Sequence, residues 1–268
     1  MPGFAALAAC TPLRQRERRA FEQGKIDGLA STLVEVLVAR AATARDLRIV
    51  RTICVSNGAD VLIANQQVRQ VVDLRNRAVA VEPGSLGHFM LARALELAGL
   101  QMSDVKHVPM ALSAMPEALR TGKVSAAVMY PPHAVPLLES PGVHVIFSSR
   151  DIPGEVVDVY AFDAQVISAR ADDLKRFFTA LDRAFARLET EPQESCRVMG
   201  WRSRLDAGAF CKALSDGITL VAPQDQARYL GPAMGLRPAV VSVQRALVAA
   251  GLVGPRTNIT DCLEPLQP

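Results

Sequence analysis

Residues 20–37 read AFEQGKIDGLASTLVEVL, and residues 118–138 read ALRTGKVSAAVMYPPHAVPLL. Their first nine positions align without a gap, Ala20–Gly28 against Ala118–Ala126. Each copy reads as the end of a helix, a glycine that stops it (Gly24, Gly122), a strand, a turn and a second helix. The second helices end in paired aliphatics, Val36-Leu37 and Leu137-Leu138. A separation of about 100 residues suits one copy in each of two lobes of ordinary domain size.

Outward from these copies the alternation continues. Strands are predicted at Ile26–Ala30, Ile49–Val55, Asp60–Ala64, Ala78–Glu82, Val105–Pro109, Ala126–Tyr130, Val143–Ser148 and Val156–Phe162. Helical patterns lie between many of them, the signature of βαβ units and a mostly parallel sheet. From Ala171 onward the pattern is almost wholly helical, and the tail Arg256–Pro268, which has no period, is expected to be loose.

Composition narrows the function. With 268 residues the chain is long enough to bury a sizeable core. The net charge is only +3, and the densest basic cluster (Arg14, Arg16, Arg18, Arg19) is interrupted by Glu17, as on a solvated helix face. One Trp and three Tyr are too few for a base-stacking platform, so no nucleic-acid partner is expected. No window approaches the roughly 20 apolar residues of a membrane-spanning helix. Cys10, Cys54, Cys196, Cys211 and Cys262 form no CxxC pair and no metal-ligand spacing with the histidines; they read as scattered buried thiols, with no metal site. Leu7-Ala8-Ala9-Cys10 has the small-residue pattern found before a lipid-modified cysteine. Nothing basic precedes it and its apolar run is only Phe4–Ala9, so it is read as coincidence rather than an export signal.

Seven stretches, in order, resemble the solute-binding proteins of nitrate-, sulfonate- and taurine-type ABC importers, which share a domain with thiamine-precursor-binding proteins. They are Phe21–Leu37, Ser56–Ala64 (SNGADVLIA), Val71–Arg77 (VVDLRNR), Val79–Phe89 (VAVEPGSLGHF), Met115–Leu119, Val128–Ala134 (VMYPPHA) and Val145–Val159 (VIFSSRDIPGEVVDV). The resemblance implies an α/β fold of the type II periplasmic-binding-protein kind: two lobes with a cleft between them and a helical C-terminal segment. Lobe 1 would be residues 1–65 plus 156–268, lobe 2 residues 66–155, with crossing strands near Asp60–Asn65 and Glu155–Asp158 as the hinge. Such a clamp closes on a small molecule, works as a monomer and presents its ligand to a membrane permease. It is periplasmic or anchored outside the cytoplasm, uses no cofactor and catalyses nothing. In the family a strand, a helix and a second strand precede the segment matching Ala20. Only 25 residues precede Ile26, so lobe 1 looks shortened at its start.

The residues point to a site of their own. Gly84-Ser85-Leu86-Gly87 stands between a strand and a helix, where free backbone N–H groups and the helix dipole favour an anion or a carbonyl oxygen. Ser31-Thr32 stands at the corresponding point of the first copy, and Tyr130-Pro131 at another strand end. Ser31, Thr32, Gly84, Ser85, Leu86 and Tyr130 are therefore candidate ligand contacts, with plain helix capping the competing reading for the hydroxyls. Asn57 and Asp60 flank a turn near the expected hinge, and His88 and His133 sit in first helical turns where an imidazole would suit an anion. Glu82 fits either a ligand amine or a structural role. The segment is neither GxGxxG nor a P-loop, and no triad or carboxylate pair is proposed. The alternatives are a ligand sensor outside transport, a decayed remnant that binds nothing, and a thiamine-pyrimidine-synthase-like enzyme, which would be expected to carry a cysteine-rich loop that is absent here.

Overall fold

The computed structural model describes residues 11–203, 205–231, 235–255 and 261–264; the Leu7–Cys10 stretch lies outside them. The strands are β1 (Gly28–Thr32), β2 (Leu47–Ser56), β3 (Val61–Asn65), β4 (Ala78–Val81), β5 (Lys106–Pro109), β6 (Ala126–Met129), β7 (Val143–Ser148), β8 (Val157–Asp163) and β9 (Ile218–Leu220). The helices are α1 (Thr11–Glu22), α2 (Leu33–Ala42), α3 (Leu86–Leu97), α4 (Met115–Arg120), α5 (Ala134–Leu138), α6 (Ala164–Ala169), α7 (Ala171–Thr190), α8 (Pro192–Ser203), α9 (Ala207–Gly217), α10 (Gln226–Leu230) and α11 (Arg237–Ala249).

Two sheets result, ordered β1-β8-β2-β9 and β5-β4-β6-β3-β7. The first is antiparallel at every pairing, and so is the second where β3 meets β6 and β7; only β4–β5 and β4–β6 are parallel. The expectation of a mostly parallel sheet is thus corrected. β1-α2-β2 and β6-α5-β7 are βαβ units with mutually parallel strands. A strand from elsewhere in the chain, β8 or β3, lies between the two strands of each unit and runs the other way. Strand–helix alternation reveals the unit and says nothing of what is inserted into it.

Both repeat copies fold alike. Gly24 and Gly122 adopt φ +69° and +72° after α1 and α4, a conformation that glycine enters without a Cβ clash. In the second sheet β4 and β5 lie beyond β6, whereas among the described residues β1 ends its sheet. The chain leaves the first sheet through residues 57–60 and returns through 149–156.

One apolar cluster spans both sheets. Leu33, Val34 and Leu37 of α2, Phe89, Met90 and Leu91 of α3, and Val240, Val243 and Leu247 of α11 belong to it, all fully buried. Elsewhere Tyr160 and Phe178 pack edge to face at 5.6 Å, holding α7 on β8.

The C-terminal part is almost wholly helical, as expected, with one short strand, β9, that pairs with the end of β2; a three-residue strand carries no readable period. Two further expectations are overturned. The tail is docked where it is described: Cys262 is fully buried, its carbonyl accepts from Ile49 N–H at 2.6 Å, and Glu264 N–H donates to Ile49 O at 2.9 Å. The cysteines are not all thiols, since Cys196 of α8 and Cys211 of α9 form a disulfide with their Cα atoms 5.5 Å apart. That pairing depends on the packing of two helices, which no sequence spacing records.

Candidate functional site

Two helix starts carry the polar residues singled out above. At α2 the Thr32 hydroxyl accepts from Glu35 N–H at 3.4 Å. At α3 the Ser85 hydroxyl accepts from Gly87 N–H at 3.1 Å and donates to Glu82 O at 2.7 Å. Both hydroxyls therefore cap helices, so the capping reading holds for each. Gly84, at φ +66°, makes the bend that lets the chain enter α3.

The two starts meet through Glu35. One of its carboxylate oxygens accepts from Leu86 N–H, the first amide of α3, at 3.0 Å; the other is bonded by the Thr32 hydroxyl. A carboxylate belongs there, because the first amides of a helix lack intrahelical partners and carry the positive end of its dipole. From α1, Arg18 Nη1 donates to Gly84 O at 2.7 Å, which corrects the reading of Arg18 as part of a solvated helix face. Glu82 is buried next to this group. Burial first, and the Glu35 charge second, push its carboxyl up to about 7, with Arg18 opposing. Ser31 is 3% exposed, and its hydroxyl has no hydrogen-bond partner among the described residues. A buried hydroxyl left so is the kind of group a ligand satisfies.

Ser31, Thr32, Gly84, Ser85 and Leu86 thus belong to the two capped starts, and Glu35 links those starts directly. His88 adjoins them: its Nδ1 accepts from Gly84 N–H at 3.5 Å, its ring stacks on His107, and burial holds its pKa below the usual imidazole value. Asn57 and Asp60 belong to the crossing between the sheets. Asn57 O accepts from Arg150 Nε at 2.9 Å and Asp60 O from Ser149 N–H at 2.9 Å, while the Ser56 and Ser149 hydroxyls lie 2.8 Å apart. Tyr130 is buried in the apolar cluster under β6 and α4, and His133 stands before the five-residue α5, its pKa lowered by burial.

Sequence reasoning missed Glu35 and Arg18. Thr32-Leu33-Val34-Glu35 has the T-x-x-E form of a capping box, which is legible as a helix start. That its carboxylate reaches a helix of the other sheet is not. An apolar cavity of about 250 Å³ lies elsewhere, between α7, α8 and β2, lined by Ile53, Tyr160, Leu181, Phe185, Val198 and Met199 among others. None of the expected site residues lines it. Among the described residues no group of three or more His, Cys, Asp or Glu is disposed to hold a metal ion.

Comparison with known proteins agrees with this architecture. Residues 15–195 match the family described as NMT1/THI5 like. A protein of Escherichia coli (strain K12) described as aliphatic sulfonates-binding is 31% identical over 93 residues, covering 34% of this chain and 29% of that protein. A binding protein of Brucella abortus (strain 2308) is 21% identical over 169 residues, 62% of this chain and 53% of its own length. The matches to these curated relatives thus span about half of their length or less. The crystal structure of the periplasmic aliphatic sulphonate binding protein SsuA from Escherichia coli superimposes with a TM-score of 0.75 at 19% identity, over 95% of this chain and 80% of that one. The likeness shows a periplasmic-binding-protein fold.

Proposed function

The chain belongs to the NMT1/THI5-like family, and from that premise we propose that it is the solute-binding component of an ABC importer. It takes one small polar or anionic molecule of the sulfonate, nitrate, taurine or thiamine-precursor class and presents it to a membrane permease. The observation that carries this reading is the meeting of two capped helix starts, one from each sheet, around buried polar groups that include an unpartnered Ser31 hydroxyl. The likeness to a sulphonate binding protein gives the ligand class its support.

On this reading lobe 1 is residues 1–65 with 156–268 and lobe 2 is residues 66–155. The crossing strands near Asp60–Asn65 and Glu155–Asp158 act as the hinge. Ser31, Thr32, Gly84, Ser85 and Leu86 form the centre of the site, and His88, Asn57, Asp60, Tyr130 and His133 its periphery. The clamp works as a single chain, without catalysis. A location outside the cytoplasm is supported by the Cys196–Cys211 disulfide, since such bonds persist in oxidising compartments. Among the described residues no helix is long and apolar enough to cross a membrane.

A thermal-shift screen of the purified chain against alkanesulfonates, nitrate, bicarbonate, aminopyrimidines and small carboxylates tests the function. A ligand at 100 times its dissociation constant stabilises the fold by about 2.7 kcal/mol, enough to raise the melting temperature visibly. A cooperative melt that no member of the panel moves would count against the proposed ligand classes.

A further inference from the structure

The start of α3 is already occupied. Leu86 N–H is bound by Glu35, Gly87 N–H by the Ser85 hydroxyl, and Gly84 N–H faces His88 Nδ1. These are the amides an incoming anion would use, and all three are engaged from within the chain. Two of the engagements are local to the α3 loop. The third comes from α2, 51 residues away in sequence and on the other sheet.

We propose that Glu35 is a resident stand-in for an anionic solute: its carboxylate fills the start of α3 in the solute-free chain, and an anion enters only by displacing it. The identity of the place as the solute site rests on the function proposed above; the occupation of the helix start by Glu35 rests on geometry alone.

Four features support it. Glu35 is 4% exposed, so its charge is held inside the protein rather than resting at a rim. Both of its oxygens are engaged, one by each helix start, which fixes the side chain in the bridging position. Arg18 straps the same loop from α1 through Gly84 O, so the first sheet's layer grips α3's entry at two points. The Ser31 hydroxyl, one residue before the α2 cap, is buried and has no partner among the described residues, so a ligand group that reached it would satisfy it. An anion added beside Glu35 and Glu82 would face like charge in a buried setting, so exchange is favoured over simple addition. Glu82, pushed up to about 7, moderates that repulsion by holding a proton near neutral pH.

The test compares wild type with Glu35→Ala and Glu35→Gln by calorimetry with sulfate and with ethanesulfonate, each protein's thermal melt reporting whether it is folded. Anion binding is expected to be at least about tenfold tighter in the alanine variant than in wild type, once the internal competitor is gone. Glu35→Gln keeps the shape and loses the charge, and carries the same comparison should the alanine variant fail to fold. Wild type that binds the probes as tightly as a folded variant would overturn the stand-in and leave the solute reading in place, whereas absence of binding in every folded protein would overturn both.

Discussion

Arg93 and Glu155 clasp each other through two parallel hydrogen bonds, Nε to Oε2 at 2.8 Å and Nη2 to Oε1 at 2.9 Å. Arg93 stands on α3, and Glu155 lies in the crossing, residues 149–156, that returns the chain to β8. The pair therefore ties the helix whose start forms the candidate site to the segment about which the lobes are proposed to turn. Arg93 also reaches Glu96 on its own helix.

Breaking this pair leaves a charge stranded, because the side chains are only 8% and 15% exposed. Arg93→Ala is expected to cost about 3 kcal/mol of folding stability, read from urea denaturation. A loss within experimental error would mean that water reaches Glu155 freely.

Glu82 makes stability depend on pH in an uncommon direction. Its folded carboxyl holds a proton up to about 7, while the unfolded chain releases it near the ordinary value of 4.5. Over that window the folded state binds more protons, so its contribution falls as pH rises from 4.5 to 7 and is level above. Thermal melts of Glu82→Gln at pH 5 and pH 8 are expected to differ less than those of wild type. An unchanged difference would place the proton elsewhere.

The Cys196–Cys211 link closes a loop of 15 residues between α8 and α9. Its removal by Cys196→Ser with Cys211→Ser is expected to cost about 3 kcal/mol, on the chain-entropy account of cross-links. Non-reducing peptide mapping checks the pairing directly, and denaturant melts with and without reductant check its contribution.

Ser85→Ala removes the hydroxyl that accepts from Gly87 N–H. The loss of this cap is expected to cost about 1 kcal/mol of stability. In the thermal-shift screen it should also weaken whichever solute stabilises wild type. A variant destabilised to this extent that keeps the full ligand shift would confine Ser85 to capping.

The two helix starts of the candidate site were legible. Thr32 and Ser85 are small hydroxyl residues before apolar helical runs, and both cap the helices they were expected to open. Gly84 sits at the positive φ that a glycine at such a bend suggests. The misreading of Arg18 has a physical cause. Arg18 looked solvated because its helix carries several charges, yet its partner, Gly84 O, lies 66 residues further on.

The sequence by itself determined the local grammar of this protein: the periodicity of its helices and strands, the capped starts of α2 and α3, and the repeat around Gly24 and Gly122. These depend on residues a few positions apart, whose side chains and backbone meet whatever the rest of the chain does. Only the tertiary structure decided that β8 and β3 lie inside the two βαβ units, that Cys196 meets Cys211, and that Glu35 fills the start of α3. Each of these joins groups brought together by packing, with β8 and β3 drawn from distant parts of the chain and Glu35 reaching across from one sheet's layer to the other. The burial that selects such contacts acts on surface area and carries no record of order along the chain.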